Sequence, residues 1–192
     1  MRLLIICLLV ATQASAQSFI QKKDGTKLPV VEGSIKVLPA NNKLQYSFGS
    51  NDFKTKYKDL DFAVFDGFLF KTFVQKNKVR GYFVLAESAT KTLAAIGILK
   101  SRPAGGFEST FKRYELHVFT SDGKLLETIS FTDEKSDRNM IHRADAAALI
   151  RSHFSDCENL IQRLEAFEIS NTDQQNDGIS KFVDSKVYTT CK

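Results

Sequence analysis

The spacing of apolar and polar positions changes period near Asp133. Before that point short runs alternate or are apolar throughout, and tight-turn residues separate them, as in a strand-rich segment. Phe19–Lys23 and Leu28–Val31 flank the turn Asp24-Gly25-Thr26-Lys27, and Ser34–Leu38 and Lys43–Phe48 flank Pro39-Ala40-Asn41-Asn42. From Phe53 to Lys58 the alternation is strict, with Lys54, Lys56 and Lys58 on one side and Phe53, Thr55 and Tyr57 on the other. This predicts a strand with one wet face. Phe62–Phe65 and Phe68–Val74, joined by the hairpin signature Asp66-Gly67, are apolar on both faces. So are Tyr82–Ala86 and Leu93–Leu99, which therefore belong in the middle of a covered sheet. A loop over residues 102–106 and a hairpin from Phe111–Thr120 to Leu125–Thr132 complete this part.

Beyond Asp133 the period becomes helical. Ser136 or Asp137 can cap a helix running to about His153, with Met140, Ile141, Ala144, Ala147, Ala148 and Phe154 on its apolar arc. His142, Asp145, Ser152 and His153 fall on its polar side. Ser155-Asp156-Cys157-Glu158 reads as a capping box opening a second helix to about Glu168, with Cys157, Leu160, Ile161, Leu164 and Phe167 facing inward. Residues 170–178 form a polar loop, and Ile179–Val183 with Val187–Cys191 can add a last strand. The expected fold is α+β, a mainly antiparallel curved sheet or partial barrel of about 8–10 strands with two C-terminal helices. No linker divides residues 17–192, so they read as one domain: a β-rich part (17–133), a helical part (134–169) and a tail (170–192).

The first sixteen residues do not fit that domain. Arg2, the apolar run Leu3–Ala11 and the small-x-small Ala14-Ser15-Ala16 make a signal peptide cut after Ala16. The run is too short to span a bilayer, and every later apolar run is broken by Lys, Asp or Gly. The expected location is outside the cytoplasm, periplasmic or secreted. Cleavage removes Cys7 and leaves Cys157 and Cys191, an even pair in an oxidising compartment. A disulfide between them would tie the tail to the second helix.

Candidate chemistry is sparse. His117 falls on the exposed phase of its strand beside Arg113 and Glu115, and His142 and His153 stand eleven residues apart on one helix. That separation is about 16 Å, too far for one ion, and no metal-site spacing occurs elsewhere, so no cofactor or metal is expected. No nucleophile elbow or phosphate loop is present. Asp59 and Asp61 would share a face if extended, the one carboxylate pair on which a hydrolase reading can rest.

Charge changes the picture more. Residues 17–100 carry 14 Lys/Arg against 7 Asp/Glu, and residues 101–192 carry 12 against 15. The β-rich part is thus basic, with stripes at Lys54, Lys56 and Lys58 and at Lys76, Lys78 and Arg80. These six are the candidate binding residues, for an anionic envelope component or another envelope protein. Export and the lack of a nucleic-acid module argue against nucleic acid. Lysines on exposed strands also discourage edge-to-edge pairing, a role that needs no ligand. The chain has 16 Phe and no Trp, five of the Phe between residues 62 and 73. Such a density fills a core, or lines a cavity for an apolar ligand.

The Lys23–Lys27 turn, Tyr57-Lys58-Asp59-Leu60 before aromatic strands and His153-Phe154-Ser155-Asp156-Cys157 at a late helix resemble small exported bacterial proteins of unknown function. The resemblance implies no activity and no site residues. The sequence reading is therefore a non-catalytic binding module using the basic β face, with an apolar-ligand carrier and a hydrolase as the other readings.

Overall fold

The computed structural model describes residues 18–104, 107–169 and 177–191. The segment expected to be a signal peptide, Gly105-Gly106 and most of the expected polar loop at 170–178 lie outside the described residues. Twelve strands and three helices are described. The strands are β1 (Phe19–Lys22), β2 (Lys27–Pro29), β3 (Lys36–Leu38), β4 (Lys43–Phe48), β5 (Asn51–Lys56), β6 (Leu60–Phe65), β7 (Phe68–Gln75), β8 (Lys78–Glu87), β9 (Lys91–Ala104), β10 (Phe107–Thr120), β11 (Leu125–Thr132) and β12 (Thr189–Thr190). The helices are α1 (Asp137–Phe154), α2 (Glu158–Ile169) and α3 (Gly178–Ser185).

The fold is α+β, as the change of period implies. Eight strands run in the order β11-β10-β9-β8-β7-β6-β1-β2, with β12 added in parallel to the end of β8. The sheet is open rather than barrel-closed, with β11 and β2 at its edges. A separate three-stranded sheet has the order β3-β4-β5. Asp66 and Gly67 both take positive φ, +50° and +77°, as a two-residue hairpin turn between twisted strands requires.

Side-chain alternation sorts the main sheet into two faces. On one, Leu85, Leu93, Tyr114, Leu116 and Val118 pack under the helices with Ile150, Phe154, Leu160, Leu164 and Phe182. The small sheet lies beside the helices on this same face: Leu44 and Tyr46 pack over Ile20, Ala63, Phe70 and Phe83, and Phe83 is the register partner of Ala95. The opposite face carries a smaller cluster of Phe73, Tyr82, Ala94, Ile96 and Phe119.

One departure from a regular ladder shapes everything below. Antiparallel pairing of β8 with β9 covers only Phe83–Glu87 against Thr92–Ala95, with a register shift between Val84 and Ala86. Before Phe83, β8 pairs with β7 alone, and beyond Ala95, β9 pairs with β10 alone. The sheet forks there, and the 3-10 turn Pro39–Asn41 after β3 sits at the fork.

Three sequence expectations change. Ile179–Val183 is helix α3 rather than strand, because Ile179, Phe182 and Val183 fall at i, i+3 and i+4 and bury together against α2 and the sheet. The helical part therefore has three helices. In α1 the buried arc is Arg143, Ala146, Ala147, Leu149, Ile150 and Phe154, while Ile141, Ala144 and Ala148 are exposed. The arc turns because Arg143 finds carbonyl partners at the β11–α1 junction. Ser155 is the C-terminal cap of α1, and α2 begins only at Glu158.

Cys157 and Cys191 form a disulfide with their Cα atoms 5.0 Å apart, as the even count implies. No described helix is long and apolar enough to cross a membrane.

Candidate functional site

The two basic stripes meet at the fork. β5 ends at Lys56, and Tyr57–Asp59 forms a 3-10 turn instead of continuing the strand. Lys58 is thereby turned off the face shared by Lys54 and Lys56. The β7–β8 hairpin closes through Lys76 and Asn77, both with positive φ, and delivers Lys78 and Arg80 onto the free edge of β8. A cup of about 390 Å³ results, lined by Lys43, Lys56, Lys58, Lys78 and Arg80 with Asn41, Asn42, Asn77, Tyr57 and Val79. No carboxylate is among those lining residues.

Four of the six candidate residues thus converge: Lys56, Lys58, Lys78 and Arg80. Lys54 sits opposite Gln45 farther along β5, and Lys76 occupies the hairpin tip, so neither lines the cup. Sequence reading misses Lys43 and the three asparagines. Lys43 pairs with Lys56 across β4 and β5, and register between strands is not visible in local alternation.

Below the cup lies Tyr57, 1 % exposed, with its ring tilted 5.5 Å from Phe70. Its backbone N–H donates to the Asn42 carbonyl at 2.9 Å, fastening the end of β5 to the turn after β3. Burial pushes the phenol well above its ordinary range, and its hydroxyl has no hydrogen-bond partner among the described residues. Gly81 makes room for this ring pair. A Cβ there would stand 2.3 Å from Phe70 Cζ and 3.0 Å from Tyr57 Cε2. Gly81→Val is expected to destabilise the protein by about 1–3 kcal/mol through overpacking, read as a lowered urea midpoint.

Behind the cup a gap of about 30 Å³ is lined by Asn42, Tyr57, Arg80, Tyr82, Glu115 and Ile96 among others. The His117 ring and the Arg113 and Arg80 guanidinium groups hold the Glu115 carboxyl below its usual range, against the effect of burial. Glu115 thus partly balances Arg80 from behind, and the lysines have no such counterweight in the cup.

His117 is not exposed as its strand phase implies but 5 % exposed. β10 is flanked on both sides, and the opposite face is closed over it by aromatic rings, with Tyr82 centred 4.5 Å away. Gln75 accepts from the Tyr82 hydroxyl at 3.0 Å and reaches His117 Nδ1 at 3.5 Å. His153 Nε2 lies 2.8 Å from Glu127 Oε2, and His142 Nδ1 lies 3.9 Å from Asp145 Oδ2. Asp59 belongs to the 3-10 turn while Asp61 lies in β6, so the extended geometry that would align their carboxyl groups is absent. Among the described residues no group of three His, Cys, Asp or Glu could hold a metal ion.

The cup can attract and orient an anion by charge, with the amides of its lining asparagines as further donors. Comparison with protein-family models, curated proteins and solved structures finds no match to this chain.

Proposed function

We propose that this is an exported, non-catalytic binding module whose basic cup takes an anionic group, a phosphate or carboxylate displayed on an envelope polymer or lipid headgroup. The observation that carries the reading is the gathering of Lys43, Lys56, Lys58, Lys78 and Arg80 around one 390 Å³ hollow with no carboxylate in its lining. Like charges held close repel, and an anion seated between them removes that cost. Edge protection alone explains lysines spread along a strand; it does not explain cations from β4, the Tyr57–Asp59 turn and β8 facing one space. Export is supported by the signal-peptide pattern of residues 1–16 and by the Cys157–Cys191 bond, which suits an oxidising compartment.

The test compares two triple variants of equal net charge, Lys56→Glu/Lys78→Glu/Arg80→Glu and Lys23→Glu/Lys100→Glu/Lys124→Glu. All six side chains are exposed, and the second set lies outside the cup. Binding to phosphatidylglycerol vesicles and to a soluble polyphosphate is measured for each. The cup variant is expected to lose about tenfold or more in affinity for both probes, and the control much less. Equal losses would reduce the effect to net charge and overturn the reading.

A further inference from the structure

The seam where the small sheet and the helices meet on the main sheet holds a second, larger hollow. It is a cleft of about 590 Å³, within the size range of small-molecule sites. Phe65, Phe68 and Phe83 line it from the main sheet, Ile35 and Val37 from the small sheet, and Val183 from α3. The Phe68 and Phe83 rings meet edge-to-face with centroids 6.0 Å apart, giving an apolar aromatic surface.

Its charged groups differ in how well they are matched. The stem of Lys112 crosses Gly97, where a Cβ would come 2.5 Å from Lys112 Cε, and its ammonium pairs with Asp184. Asp184 also accepts from the Tyr114 hydroxyl at 2.9 Å. That cation is paired directly at the cleft wall. Lys186 has no such direct partner among the described residues. It follows the end of α3 with φ +51°, and its ammonium lies 4.5 Å from the Phe83 ring centroid and 5.4 Å from that of Phe68. It makes no ion pair within 4 Å among the described residues; burial and the Lys112 charge lower its pKa, while the Asp184 and Asp66 carboxylates at the edge of the cleft act the other way. A half-buried ammonium on two aromatic faces, beside an apolar cleft, is complementary to one kind of ligand.

We infer that this cleft binds a single-chain amphiphile with an anionic head, its alkyl tail on the Phe65–Phe68–Phe83 surface and its head on Lys186. The site is separate from the basic cup. The 30 Å³ gap shares Pro39, Ile96 and Ile98 with the cleft and Asn42, Tyr57 and Arg80 with the cup. The two hollows therefore have separate linings and meet only across this small gap.

The test is calorimetric titration of the purified full chain with dodecanoate, dodecyl sulfate and dodecyltrimethylammonium, each below its micelle concentration. One dodecanoate or dodecyl sulfate per chain is expected, with the cationic amphiphile about tenfold weaker or worse. Lys186→Met keeps an apolar side chain but removes the charge, and should weaken the two anions about tenfold and erase the preference. Phe68→Ala, which removes part of the aromatic surface under the tail, should weaken all three, and its melting curve reports whether it folds. The cup triple variant should bind dodecanoate like the parent, so failure of the anion-cup reading leaves this result intact. Equal binding of anionic and cationic amphiphiles by the parent, unchanged affinity in Lys186→Met, or no binding at all would overturn the inference.

Discussion

Replacing both Cys157 and Cys191 with serine is expected to lower the unfolding free energy by about 3–4 kcal/mol. The bond closes a loop of 34 residues, whose release restores conformational freedom to the unfolded chain. Both sulfurs are buried, Cys157 at 2 % and Cys191 at 9 % exposure, so the serine hydroxyls add a desolvation cost. What the bond holds down is the last segment. β12 adds only Thr189 and Thr190 to the sheet, supported by Cys191 N–H donating to the Glu87 carbonyl at 2.7 Å and Arg163 Nη1 donating to Thr189 Oγ1 at 2.6 Å. Those contacts alone are few for a strand of two residues. Urea unfolding of the double variant should show a lower midpoint and a steeper slope, because the unfolded chain is no longer cross-linked. Amide protons of α3 should lose protection before those of β8–β10. A loss below about 1 kcal/mol would mean that the bond does not constrain the unfolded chain as described.

Arg143→Ala is expected to cost about 3–5 kcal/mol. Arg143 is fully buried in α1, at 0 % exposure. Its Nη1 donates to the Thr132 carbonyl at 2.8 Å and to the Glu134 carbonyl at 3.2 Å, and its Nη2 lies 3.6 Å from Asp177 Oδ1. The guanidinium therefore joins the end of β11, the start of α1 and the entry to α3. Alanine removes these charge-assisted bonds, leaves the carbonyls short of donors and opens a cavity. Arg143→Met restores most of the volume without the donors, and should recover only part of the loss. Thermal unfolding of the two variants separates packing from hydrogen bonding; a loss below about 1 kcal/mol in Arg143→Ala would show that the junction is held by other contacts.

The strands were largely legible because their signals are local. Asp66-Gly67 supplies its own positive φ, and the two-sided apolar runs at Tyr82–Ala86 and Leu93–Leu99 became central strands. The pairing of Cys157 with Cys191 followed from there being two cysteines and no third beyond residue 16. Misreadings cluster where the deciding partner is distant in sequence. His117 shows the polar phase of a half-exposed strand, yet Phe73 and Tyr82, more than thirty residues earlier, cover that face. The burial of Arg143 leaves no local signal, because its acceptors are backbone carbonyls, which every sequence contains and none advertises. Ile179–Val183 is too short for period alone to separate strand from helix.

The candidate site divides in the same way. The amino-acid sequence determined that residues 17–100 are basic, that their cations include two stripes and that aromatic residues crowd residues 62–73. Only the tertiary structure decided that Lys56 and Lys58 meet Lys78 and Arg80, and that Lys54 and Lys76 stay outside. It alone also set Lys186 beside Phe68 and Phe83. The reason is the fork: where β8 and β9 part after four residues of each have paired, two strand edges are left free and the small sheet moves in beside them. Period and charge are carried by neighbours in the chain. A hollow is made by elements that fail to touch, and that depends on registers set by packing across the whole sheet.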